Sequence, residues 1–270
     1  MQGGRPLEGL RVVVTRPEEQ AEELARLLFE LGAVAVSFPV LEVLPPADPC
    51  PLDSALRRLG DFDWVAFASA NAVRFAFERY SDLGLDPDLW RRPEVAAVGE
   101  ATAAALRDRG VRVSVVPEKT DASGVVEALA ERGIEGRSVL VLQARQGRPV
   151  LEEGLRKAGA NVTRVEAYET AIRRPPAGQV EALIRDGWDA VAFTSPSTAR
   201  NFRLIVEEAG GDPALAPAFC IGAVTEREAR SLGYKVGGVA ARASAGELVE
   251  ALRRHFEQER PPLRRKSSTR

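Results

Sequence analysis

The chain has 270 residues, 45% apolar and 28% charged, with a formal net charge of −2. Such proportions are globular, the length gives a prior of roughly two domains, and so small a net charge sets up no global field for nucleic acid or an anionic membrane. Two distant cysteines, Cys50 and Cys220, and a single histidine, His255, leave no spacing for a zinc site, a disulfide framework or a His-based catalytic triad.

The first eight residues contain no apolar run, and no stretch approaches 18 apolar residues. Neither a signal peptide nor a membrane span is expected, and the cytoplasm is the expected location. Gly9–Pro39 reads as strand, loop, amphipathic helix, glycine stop and strand. Leu24, Leu27, Leu28 and Leu31 recur at helical spacing, and Gly32 stands where a left-handed C′ residue is wanted. Thr15, Arg16 and Pro17 follow the first strand. A charge there needs solvent, a salt-bridge partner or a bound anion, so Arg16 is a carboxylate-binding candidate.

"PVLEVLPP" (Pro39–Pro46) is β-rich with proline ends and reads as a linker. In "DWVAFASANAVRFAF" (Asp63–Phe77), Val65–Ala68 form a short buried-type strand. Ser69 is an N-cap candidate, and Asn71 stands two residues further on. Val95–Leu129 gives strand, Gly99-x-x-Thr102, helix, a stop at Gly110, strand, loop and helix.

The remainder repeats these three segments. Gly136–Tyr168 follows the pattern of Gly9–Pro39, with Gly159 as the stop and Arg145 and Arg148 in the loop that matches Arg16. Within it "RVEAYETA" carries Tyr168, either a packing residue or a phenol facing a cleft. "WDAVAFTSPSTARNF" (Trp188–Phe202) echoes Asp63–Phe77, with Ser195 and Ser197 at the helix start. Ala218–Leu252 repeats the third segment, with Gly222, Thr225 and Gly233. His255 reads as a solvated residue on the last helix. The tail beyond Pro261 and Pro262 is expected to be disordered.

Five short apolar strands alternate with helices in each repeat. That predicts an α/β fold: two flavodoxin-like doubly wound domains with parallel sheets. In such sheets ligands bind beyond the carboxyl ends of the strands, where the helix N-termini offer unsatisfied N–H groups to carboxylate or phosphate. For any one Ser, Thr or Asn at a helix start, capping alone is a sufficient explanation. Several such corners facing a cleft point to an anionic ligand. Neither GxGxxG nor GxxxxGK[ST] occurs, and no metal-ligand spacing or arginine–aromatic stripe is present.

The strings "VVVTRPEEQAEELARLLFELGA", "WVAFASANAV", "AAVGEATAAAL", "VEAYET", "VAFTSPSTARNF" and "CIGAVTEREARSLG" occur in that order. By them the chain resembles the uroporphyrinogen-III synthases from Gly9 to Leu252. The resemblance implies one domain of residues 1–38 with 173–260, and another of 45–166. Two antiparallel linker strands at 39–44 and 167–172 would join them, leaving 261–270 as a disordered tail. It implies cyclisation of hydroxymethylbilane, a linear tetrapyrrole with eight carboxylates, with inversion of the terminal ring and no metal or organic cofactor. The residues it points to are Arg16, Ser69, Thr102, Ser195, Ser197 and Thr225 for substrate, with Asn71 added beside Ser69, and Tyr168 for assisting departure of hydroxide. A monomer is expected, with hydroxymethylbilane synthase as a transient partner. The competing reading is a non-catalytic two-domain protein that binds or senses a small molecule.

Overall fold

The computed structural model describes residues 5–259. The expected tail at 261–270 lies outside them. In chain order the elements are β1 (Arg11–Val14), α1 (Glu18–Glu30), β2 (Val34–Ser37), β3 (Leu41–Leu44), α2 (Cys50–Arg57), β4 (Trp64–Phe67), α3 (Ala70–Asp82), β5 (Glu94–Ala97), α4 (Glu100–Arg107) and α5 (Ala122–Ala130). They continue as β6 (Ser138–Ala144), α6 (Val150–Lys157), β7 (Asn161–Ile172), α7 (Ala177–Asp186), β8 (Ala190–Phe193), α8 (Pro196–Glu208), β9 (Ala218–Cys220), α9 (Ala223–Ser231), β10 (Val236–Val239) and α10 (Ala245–Glu259). Gly32 and Gly159 take φ of +91° and +87°, the left-handed geometry that ends α1 and α6.

The strands form two five-stranded sheets, ordered β10-β9-β8-β1-β2 and β3-β7-β6-β4-β5. The chain divides into two compact units. One joins the residues up to Glu42 with those from Ala171 onward, and the other is Val43–Thr170. Both boundaries fall inside strands, β3 and β7.

Each sheet is short and apolar because both its faces are covered. In the first, Val13, Val191 and Phe193 pack on Phe202 and Val206 of α8. The alternate residues Val12, Val14, Ala190 and Ala192 meet Leu24 and Leu28 of α1 and Leu248 and Leu252 of α10. The second divides the same way, with Val65, Phe67, Leu140 and Leu142 on one face and Ala66, Val139 and Val141 against Leu151 and Leu155 of α6 on the other. This is the two-residue alternation of a strand read on both sides.

The repeated segments distribute one copy of each kind to each unit. Gly9–Pro39 joins Trp188–Phe202 and Ala218–Leu252, whereas Asp63–Phe77 and Val95–Leu129 join Gly136–Tyr168. The aspartate that opens the second segment does the same work in both copies. Asp189 Oδ2 accepts the Arg11 N–H at 2.7 Å, and Asp63 Oδ2 accepts the Ser138 N–H at 2.8 Å. Each thus ties its strand to the start of the neighbouring one.

Two expectations need correction. The strand expected after the stop at Gly110 does not form in full: the stretch makes a single bridge, Val115 to Ala96. Val115 N–H bonds to Val95 and Ala97 N–H to Val115, but the next ladder position is Pro117, which has no N–H to give. The fifth strand of that sheet is β3, which lies at the opposite edge beside β7. His255 is not simply solvated: its ring is half-buried, with edge contacts to Phe219 at 5.3 Å and Phe256 at 5.1 Å.

Candidate active site

In the first unit three corners follow β1, β8 and β9 at the carboxyl edge. Thr15 is fully buried, and its hydroxyl donates to the Ala192 carbonyl at 2.7 Å, so it fastens β1 to β8 rather than offering itself to a ligand. Arg16 is half-buried. Burial lowers its guanidinium pKa, with Glu23 opposing the shift. A cation kept from full hydration at this edge gains from a carboxylate.

Ser195 caps α8 in a reciprocal capping box with Thr198. Its Oγ accepts the Thr198 N–H at 3.2 Å, and Thr198 Oγ1 accepts the Ser195 N–H at 3.2 Å. Its hydroxyl lies 2.9 Å from that of Ser197, and both residues are half-buried. Gly222 caps α9 with extended backbone, and Thr225 in the first turn is buried. The second unit repeats this last corner with Gly99 and buried Thr102 at the start of α4. With the two threonine side chains buried, these corners present chiefly main-chain N–H groups of the first helical turn.

The fullest cluster follows β4. Ser69 caps α3, accepting the Ala72 N–H at 3.1 Å. The same Oγ lies 3.0 Å from the phenol oxygen of Tyr168, and Asn71 is half-buried in the first turn of α3. Tyr168 is buried, with its ring stacked on Phe75 at 5.9 Å and 14°. The phenol is therefore held on two sides, by a ring face and a hydroxyl, at the carboxyl edge of β4. Arg145, an anion candidate by sequence, is engaged by Glu169 at 3.0 Å.

Gln143 escaped the sequence reading. Val12 faces Ala190 and Val139 faces Trp64, and both partners directly follow the repeated aspartate. Counting four residues on from each, Gln143 is the counterpart of Arg16. It is only 3% exposed, and its Nε2 has no hydrogen-bond partner among the described residues. The available signal was an amide inside the apolar run "VLVLQA".

Both cysteines are free thiols, one exposed and one buried, and burial pushes Cys220 up to about 12. Among the described residues no group of His, Cys, Asp and Glu could hold a metal ion, and no helix is long and apolar enough to cross a membrane.

Parallel sheets edged by hydroxyl- and glycine-capped helices define an α/β protein suited to an anionic small molecule. Comparison with known proteins takes this further. The family model "Uroporphyrinogen-III synthase HemD" matches residues 22–250. The chain belongs to this family, the cyclising lyases of tetrapyrrole synthesis. It is 32% identical over 212 residues to the uroporphyrinogen-III synthase of Synechococcus elongatus, covering 77% of this chain and 79% of that one. It shares its fold with the Helicobacter pylori enzyme structure at a TM-score of 0.63 and 20% identity, covering 90% and 98% of the two chains. A mutant Thermus thermophilus uroporphyrinogen-III synthase structure matches at 0.62 and 20%, covering 93% and 100%.

Proposed function

We propose that this chain cyclises hydroxymethylbilane to uroporphyrinogen III, inverting the terminal pyrrole ring and losing water. The observation that carries the reading is the family match across residues 22–250. The electron-rich pyrrole itself expels hydroxide, so the protein's task is to assist that departure and then hold the chain until the substituted carbon attacks. Such catalysis is orientation and electrostatic preorganisation.

Tyr168 donates its phenolic proton to the leaving hydroxide, which departs as water. The proton released when the closing ring recovers its aromaticity restores the phenol. Its contact with Ser69 supports this role, because it aims the phenol at a helix N-terminus, where an anion is favoured. Arg16, Asn71, Ser195, Ser197 and the first-turn N–H groups at the Thr102 and Thr225 corners receive substrate carboxylates, with the Thr102 N–H itself kept by the Gly99 carbonyl, each unit offering its own set of donors.

The architecture we propose is two flavodoxin-like doubly wound domains, 1–38 with 173–260 and 45–166, on antiparallel linker strands at 39–44 and 167–172. The order of the first sheet supports this. Numbered within its own unit, it reads 2-1-3-4-5. A cytoplasmic monomer, receiving substrate in transient contact with hydroxymethylbilane synthase, completes the proposal.

The test supplies freshly made hydroxymethylbilane, oxidises the products and separates the isomers. The III isomer should dominate, and Tyr168→Phe should lower kcat about tenfold with KM little changed, below the full range for general acids because the pyrrole supplies most of the push. An isomer ratio equal to the protein-free control would instead favour a binding or sensor protein.

A further inference from the structure

Tyr168 lies near the point where β7 outruns its neighbour. The β6–β7 ladder ends, after a register shift, at Ala144 opposite Tyr168. Beyond it the Arg145 N–H donates to the Tyr168 carbonyl at 2.8 Å, and the backbone of β6 offers no further ladder bond. The side chain of Gln146 takes over. Its Nε2 donates to the Thr170 carbonyl at 3.0 Å, and its Oε1 accepts the Thr170 N–H at 3.1 Å and the Thr170 hydroxyl at 3.3 Å. One primary amide thus reproduces both bonds that another strand residue would have made. Arg145 and Glu169 close an ion pair across the same two segments.

The stretch so fastened, Tyr168 to Thr170, is the last of its compact unit, which ends at Thr170. The other edge of β7 is held by β3, but on the β6 side, without the amide, the strand would be secured only as far as Tyr168 itself. Gln146 is exposed and adds nothing to either core, so its three bonds act on the geometry of this strand end rather than on burial. We infer that Gln146 is a positioning residue for Tyr168: its side-chain amide extends the sheet past the end of β6 and keeps the phenol in place against Ser69. This inference rests on the proposed role of Tyr168.

A double-mutant cycle tests it. Gln146→Ala should lower kcat about fivefold, the scale of an exposed bidentate amide contact, with KM little changed. In a Tyr168→Phe background the same substitution should cause no further loss, because it acts only through the phenol. Gln146→Glu keeps the acceptor and loses the donor, so it should fall between, and it serves as the second variant should the alanine form fold poorly. Amide hydrogen exchange at Thr170 should quicken in Gln146→Ala while the β6 amides stay protected. Equal losses in both backgrounds, or an unchanged kcat where Tyr168→Phe is slow, would overturn the inference. A Tyr168→Phe enzyme as fast as wild type would remove the acid role as well, an outcome distinguishable because it appears in the single variant.

Discussion

Asp63 and Asp189 open the two copies of the repeated strand, and their carboxylates show how one residue type is used twice for a backbone purpose. At Asp63 the Ser138 N–H, then the Ser138 hydroxyl, with Arg137 adding, hold the carboxyl below the usual aspartate range. A depressed folded-state pKa contributes stability that is present above the unfolded value, near about pH 4, and is lost as pH falls through the folded value. Asp63→Ala should therefore lower the thermal midpoint at neutral pH and flatten its fall on acidification. Melting curves between pH 7 and pH 2 check this, and parallel curves for the two proteins would refute it. Ser69 was legible as a cap, and Tyr168 as a lone tyrosine near the end of a β-rich run. Their 3.0 Å contact spans 99 positions and has no local sequence signature.

At the scale of elements, the helix starts carry both stability and the candidate chemistry. Ser195 satisfies one orphan N–H of α8 and joins a reciprocal box, so Ser195→Ala should cost about 1 kcal/mol of stability. Denaturant unfolding measures it, and Ser195→Asn, also a strong cap, should recover most of the loss. Strand–helix alternation was readable because it is written within each segment, in apolar runs such as "VAF" and in the leucine spacing of α1. The strand expected after Gly110 failed on a single atom. The apolar pattern is there, but Pro117 lacks the hydrogen that would make the second ladder bond.

On the scale of the whole molecule, the two units differ in how the chain supplies them. Val43–Thr170 is one continuous stretch holding two apolar cores of its own, whereas the other unit needs segments from both sides of it. A fragment spanning residues 41–172 should unfold in one cooperative transition. The segment up to Glu42 should stay unstructured until mixed with the segment from Ala171 onward. Circular dichroism during urea titration reads both, and a non-cooperative 41–172 fragment would contradict the division.

The sequence by itself determined the alternation of strands and helices, the capped corners, the threefold set of repeated segments and, through the order of its motifs, the family. These are local properties, carried by residues within a few positions of one another. Tertiary structure alone decided that β1 lies between β2 and β8, that Gln143 is buried at the place Arg16 holds in the other unit, and that the amide of Gln146 continues a sheet whose backbone has ended. Parallel strands meet only through crossovers or distant segments, so the choice of neighbour depends on which apolar faces are buried together, and no stretch of chain records that on its own.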